Sequence, residues 1–174
     1  RAGMNESVRD MMKPKSEEEI NNSLSNLSID ERLAKGAKQG IKWLVQYCLD
    51  KGADVHYKTD VALRLASSQG HIDIVEILLL AGANVHAPNK DGLIECAVNM
   101  AAQNGHLDIV KLLIGHGAKI NDGKRTALKS AYIGAQSEVF KYLLDNGADP
   151  TVIDYSLTSS MDILTNVPYQ KKED

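Results

Sequence analysis

"QGHIDIVEILLLAGANVH" occupies residues 69–86, and "NGHLDIVKLLIGHGAKIN" occupies residues 104–121. Both open on Gly-His, continue with Asp-Ile-Val and close on Gly-Ala. The likeness extends beyond the two copies. Gly-Ala pairs begin at Gly52, Gly82, Gly117 and Gly147, spaced 30, 35 and 30 residues apart. The glycines upstream of them, Gly40, Gly70 and Gly105, keep the same 30 then 35, and the fourth slot falls on Ala135. Two landmarks that drift together by one insertion define a repeating structural unit.

Within a unit, the stretch after the turn glycine is apolar on nearly every side. Ile74, Val75, Ile77, Leu78, Leu79 and Leu80 form it in one copy, and Ile109, Val110, Leu112, Leu113 and Ile114 in the next. A helix of about ten residues this apolar needs cover on more than one face, which stacked neighbours supply. Each large side chain so buried contributes ~1.5–3 kcal/mol. The helix closes at a glycine suited to the left-handed conformation. Asp73, Asp108 and Glu138 sit in its first turn, where the helix dipole favours negative charge. Ahead of the turn lies a shorter alternating piece, "DVALRLASSQG", "ECAVNMAAQNG" or "RTALKSAYIGA", whose Ala66, Ala101 and Ala131 let a first helix lie close to the second. A polar, extended connection such as "GADVHYKTD" joins one unit to the next.

Helix, turn, helix, glycine cap and polar finger at this period resemble the ankyrin repeat, a family with a period of ~33 residues and a Thr-Pro-Leu-His-x-Ala opening. Here the openings read Val61-Ala62-Leu63-Arg64, Cys96-Ala97-Val98-Asn99 and Thr126-Ala127-Leu128-Lys129. The Leu-type core position survives; the Pro and His, with their capping hydrogen bonds, do not. The copies of "GHIDIVEILLLAGAN" cover about residues 29–154. The 30-residue unit with Ala-Leu-Arg-Leu-Ala is similar to the shortened repeats of giant DNA viruses and, less closely, of intracellular bacteria. The resemblance implies an all-α solenoid of stacked helix-turn-helix units with finger loops. The ankyrin-repeat domain would cover 28–166, with repeats at about 28–52, 53–82, 83–117 and 118–147 and a partial cap at 148–166.

A solenoid exposes its core unless polar-faced units close its ends. "SIDERLAKGAKQGIKWLVQYCLDKG" fits a degenerate first repeat, with Ser28 and Glu31 spaced as a capping box. Ser16 and Glu19 form a second box, and Ile20, Leu24 and Leu27 follow at helical spacing, so 16–27 is assigned to an extra amphipathic segment with a helix over about 16–26. Trp43 takes the slot held by Asp73, Asp108 and Glu138, and the extra helix is expected to cover it. Residues 1–15 read as a flexible N-terminus in which Arg1-Ala2-Gly3 is a tag remnant before Met4. A last helix is expected to begin at Asp154 or Ser159, with 167–174 as a tail.

The apolar fraction of 43% suffices for a packed core, and a net charge of -3 gives no reason to expect a nucleic-acid or anionic-membrane partner. Lys58, Lys90, Lys124 and Arg125 could form a basic finger edge, but Asp60, Asp91 and Asp122 alternate with them as solvated charge of mixed sign. No run reaches membrane-spanning length and no secretory signal is present. Cys48 and Cys96 lack metal or redox spacing. A monomer in the cytoplasm is expected, in host cytoplasm for a viral or bacterial source.

Little chemistry is encoded. "GAKQGIK" at 36–42 lacks the Gly-Lys-Ser/Thr ending of a phosphate loop, and the repeat explains Gly40 as the inter-helix turn. His71 and His106 follow that turn and are read as packing on the neighbouring repeat. His56 and His86 hold equivalent finger positions, but zinc needs ligand nitrogens at ~2.1 Å and more ligands than this pair. Cys48 aligns with core Leu78 and Cys96 with Thr126, both in structural roles. No catalytic residue, metal or cofactor is expected, and the chain is read as a non-enzyme.

Function then falls to the surface. The five extra residues of the third unit lie in its finger, "APNKDGLIE", where Lys90 and the paired aliphatics Leu93 and Ile94 stand. Insertions of this kind go to loops and often to the binding face. Leu93 and Ile94 either anchor a partner or tuck over the next finger. Tyr57, Lys58, Lys124 and Arg125 line the same edge. Ser68, Gln69, Gln103, Asn104 and Ile133 occupy inner-helix positions that the resemblance marks as partner-contacting. The expectation is a scaffold or adaptor for an unidentified protein partner, a host protein if the source is viral or bacterial. The alternative is the substrate-targeting part of a larger enzyme or ubiquitin-ligase assembly. The resemblance also makes finger residues His56, His86 and Asn121 candidates for asparaginyl-hydroxylase modification.

Overall fold

Two serines start the first two helices by the same chemistry. In a computed structural model that describes residues 16–87, 96–121 and 126–153, the Glu19 amide donates to Ser16 Oγ (3.2 Å) and the Ser16 amide to Glu19 Oε2 (3.1 Å). Ser28 and Glu31 repeat the exchange at 3.2 and 2.9 Å. Helix α1 spans Glu17–Ser23, shorter than the expected 16–26. The Ser23 hydroxyl turns back to the Ile20 carbonyl (2.7 Å), and the serine- and asparagine-rich chain leaves the helix in a turn that buries Leu24.

Four helical pairs follow: α2 (Ile29–Gln39) with α3 (Lys42–Asp50), α4 (Tyr57–Gln69) with α5 (Ile72–Leu80), α6 (Ala97–Gln103) with α7 (Leu107–Gly115), and α8 (Ala127–Ile133) with α9 (Ser137–Asp145). A 3₁₀ turn covers Pro150–Val152. No strand occurs among the described residues. The segments 1–15, 88–95, 122–125 and 154–174, with the expected caps and tail they contain, lie outside the described residues.

The pairs form two layers. Inner helices α2, α4, α6 and α8 lie against one another as closely as the helices within a pair, whereas outer helices α3, α5, α7 and α9 touch far less. The stack therefore curves toward its inner layer. Residue size explains the asymmetry: the inner helices place buried Gly36, Ala66, Ala101 and Ala131 at one register position. Between the layers the same register repeats from pair to pair. Leu33, Leu63, Val98 and Leu128 form one buried ladder, and Leu44, Ile74, Ile109 and Val139 another. Cys48 belongs to a third with Leu78, Leu113 and Leu143. Its burial pushes the thiol up to about 11, so it packs as a small apolar group.

The histidines lock one pair onto the next. His106 Nε2 stands 3.0 Å from the Ser68 carbonyl and His71 Nε2 stands 3.3 Å from that of Lys38. Each ring covers the turn glycine of the preceding pair. A Cβ on Gly70 would come within 2.7 Å of the His106 ring. In the fourth pair Gln136 replaces the histidine, and the left-handed slot passes to Ala135 (φ 54). Gly134 before it is pressed against the backbone carbonyl of Gln103, which leaves no room for a side chain.

Candidate functional site

The inner helices expose one stripe each. Because residues three and four apart share a helix face, Ser68 and Gln69 align with Leu65, Gln103 and Asn104 with Met100, and Lys38 and Gln39 with Lys35. Gln69 and Asn104 are exposed, while Ser68 and Gln103 are half-buried. Ile133 is 51% exposed. Asn104 Nδ2 donates to the Met100 carbonyl (2.8 Å) and reaches Ser68 Oγ at 3.3 Å. The structure thus brings together Ser68, Gln69, Gln103 and Asn104 across two neighbouring helices, with Ile133 on the next. Leu65 and Met100 escaped notice in the sequence because they resemble core residues; neither joins the core cluster. Their place one turn before Ser68 and Gln103 was the available signal.

The fingers are stapled by carboxylates and an amide. Asp30 Oδ1 accepts from the Asp54 amide (2.7 Å), and Asp60 Oδ1 accepts from the Asn84 amide (2.8 Å). Asn121 accepts from the Asp149 amide and donates to the Gly147 carbonyl, both at 2.9 Å. Asp60 is thus no solvated surface charge, as the sequence suggested, but 3% exposed. Its carboxylate also meets His56 Nδ1 at 3.0 Å. A buried carboxylate needs such partners, and its finger amide needs an acceptor.

Above Asp60 the chain takes an unusual path. Lys58, Thr59 and Asp60 all have left-handed backbones, with φ of 46, 60 and 54. Such a conformation costs roughly 1–2 kcal/mol for a residue bearing a Cβ. Arg64 holds the turn by donating to the Thr59 carbonyl (3.3 Å) and the Lys58 carbonyl (3.2 Å). The turn carries Tyr57 and Lys58 together, with the Lys58 ammonium 5.0 Å from the Tyr57 ring centroid. Hydrogen bonding to Tyr57 pushes that ammonium above the ordinary lysine value. Lys90, Leu93, Ile94, Lys124 and Arg125, the other expected finger contacts, lie outside the described residues.

Trp43 is half-buried on the outer layer. An open groove there is lined by Gly40, Ile41, Lys42, Trp43 and Gln46 and by Ile77 of the next pair, with no α1 side chain among the described lining. The expected cover by α1 does not show in that lining; Ile20 of α1 and Leu24 of the turn after it pack on the core. No described helix is long and apolar enough to cross a membrane, and no described group of His, Cys, Asp or Glu is placed to hold a metal.

The family model for ankyrin repeats in three copies matches residues 63–154. The chain belongs to the ankyrin-repeat family. It is also 31% identical over 138 residues to human BCL-6 corepressor-like protein 1, covering 77% of this chain and 6% of that protein. The mouse protein of the same name is 42% identical over 64 residues, 34% of this chain and 4% of the relative. Human ankyrin repeat and KH domain-containing protein 1 is 36% identical over 53 residues, 30% of this chain and 2% of the relative. The chain thus spans a small fraction of each relative. Ankyrin repeats are generally protein–protein interaction modules and are typically non-catalytic. In this ankyrin stack the buried ladders repeat while the inner stripe changes chemistry from pair to pair.

Proposed function

We propose that this ankyrin stack is an adaptor without catalysis, recognising a partner protein through its inner helices and its fingers, and working as a cytoplasmic monomer. One observation carries the reading: a single register position presents Lys38, Ser68, Gln103 and Ile133 in successive pairs, four different chemistries on one repeated scaffold. The scaffold fixes the spacing and the side chains supply specificity. The strained Tyr57–Lys58 turn extends the same surface into the fingers, where Lys90, Leu93, Ile94, Lys124 and Arg125 would add contacts. If the source is viral or bacterial, the partner is a host protein.

A second reading has an observation of its own. The relatives are far longer than this chain, which favours an ankyrin stretch serving as the targeting part of a larger protein, such as an enzyme or a ubiquitin-ligase assembly.

The test is affinity capture from nuclease-treated cell lysate followed by quantitative mass spectrometry. Wild type is compared with Leu93→Asp/Ile94→Asp and with Gln69→Arg/Asn104→Arg, each shown folded by circular dichroism. A protein captured stoichiometrically by wild type and lost by either variant supports the adaptor reading. Capture of nothing, or of a protein indifferent to both variants, refutes it.

A further inference from the structure

Charge is sorted between the two layers. Inner helices α2, α4, α6 and α8 carry six cations against three carboxylates, whereas outer helices α3, α5, α7 and α9 carry three cations against six. The inner carboxylates are also already engaged by backbone amides: Glu31 by Ser28, Asp30 by Asp54 and Asp60 by Asn84. All three sit at the finger ends of their helices. Lys35, Lys38 and Lys129 lie further along, and among the described residues none has a carboxylate within ion-pairing distance. The inner face is therefore more positive than the chain's net charge of -3 suggests.

Apolar groups continue the same stripe. Leu65 and Met100 occupy the register position of Lys35 in the next two pairs, and Ile133 occupies that of Lys38 in the fourth. None of the three joins the core cluster. Packed helices stand ~8–10 Å apart, so four inner helices present a strip roughly 25–30 Å long. It is basic at the first pair, and each later pair adds one apolar group, Leu65, Met100 or Ile133, beside the polar Ser68, Gln69, Gln103 and Asn104. A helix of about 20 residues has that length.

Resting on the adaptor reading above, we propose that this strip receives an acidic amphipathic segment of the partner protein. Its carboxylates meet Lys35 and Lys38, and its apolar side chains rest on Leu65, Met100 and Ile133. The lysines steer and orient the segment; the apolar contacts hold it. The unequal ends fix its direction along the stack.

A displayed library of random peptides about 20 residues long is selected against the whole 174-residue chain. Enriched binders are expected to be rich in Asp and Glu, with apolar residues at spacings of three and four. One synthetic binder is then titrated by fluorescence anisotropy. Lys35→Glu/Lys38→Glu is expected to weaken it about tenfold, whereas Lys111→Glu on the outer layer leaves it unchanged. Raising the salt from about 0.05 to 0.3 M is expected to weaken it as well. Neutral or basic binders, acidic binders indifferent to the lysine reversal, or no binders at all overturn the assignment of this strip. None of those results touches the adaptor reading, which stands or falls on the lysate capture.

Discussion

Gly70→Ala tests the lock between successive pairs. Gly70 has φ +83, and a Cβ there would lie 2.7 Å from Cε1 and 2.9 Å from Nδ1 of His106. Gly82 has φ +94, but nothing lies within 4 Å of its added Cβ. Gly82→Ala therefore reports the backbone penalty alone, about 1–2 kcal/mol. Gly70→Ala carries the same penalty and in addition must push the imidazole aside, which overpacking data place at about 1–3 kcal/mol. Displacing the ring also threatens its contact with the Ser68 carbonyl at 3.0 Å, worth about 1 kcal/mol. Gly70→Ala should thus destabilise by about 3–6 kcal/mol in all. Removing the ring relieves the steric part, so Gly70→Ala/His106→Ala should cost about 1–3 kcal/mol less than the sum of its single changes. Urea unfolding, followed by far-ultraviolet circular dichroism, measures all four free energies. If the changes add to within about 0.5 kcal/mol, or if Gly70→Ala is no worse than Gly82→Ala, the histidine is not seated on the glycine as described.

Other consequences follow from buried polar groups. Asp60→Ala leaves the Asn84 amide without its acceptor and frees the left-handed turn; a loss of about 1.5–3 kcal/mol, as for a hydrogen bond to a charged group, is expected by urea unfolding, and Asp60→Asn, which retains an acceptor, should lose less. Ser67 has a buried hydroxyl with no partner, at the position held by Ala37 and Ala102 in the neighbouring pairs. Ser67→Ala is expected to stabilise by about 1 kcal/mol, and a destabilisation would reveal a missing hydrogen bond. Cys48 has a thiol raised from 9.0 to about 11 in the fold. The unfolded chain therefore ionises first: stability is full below pH 9 and falls as pH rises toward 11, by on the order of 2 kcal/mol. The same slope measured in Cys48→Ala would show that other groups cause it.

The repeat was legible because it is written in one dimension. Glycine spacing, apolar runs and capping boxes act over a few residues, so they marked the helical pairs, the turn at Gly70 and the starts at Ser16 and Ser28. Register arithmetic then placed Cys48 in the core beside Leu78. Other features needed the third dimension. Asp60 looks like any finger acid until stacking brings the Asn84 amide to it, 24 residues away. Leu65 and Met100 look like core residues, yet helix rotation turns them toward the stripe. The left-handed turn at 58–60 has no glycine to announce it, since Arg64 and Asp60 supply the holding contacts. Sequence by itself determined the unit, its period and its buried face, because burial demands regular apolar spacing. Tertiary structure decided which polar and apolar groups remain available for recognition, because that depends on what the neighbouring pair has already covered or bonded.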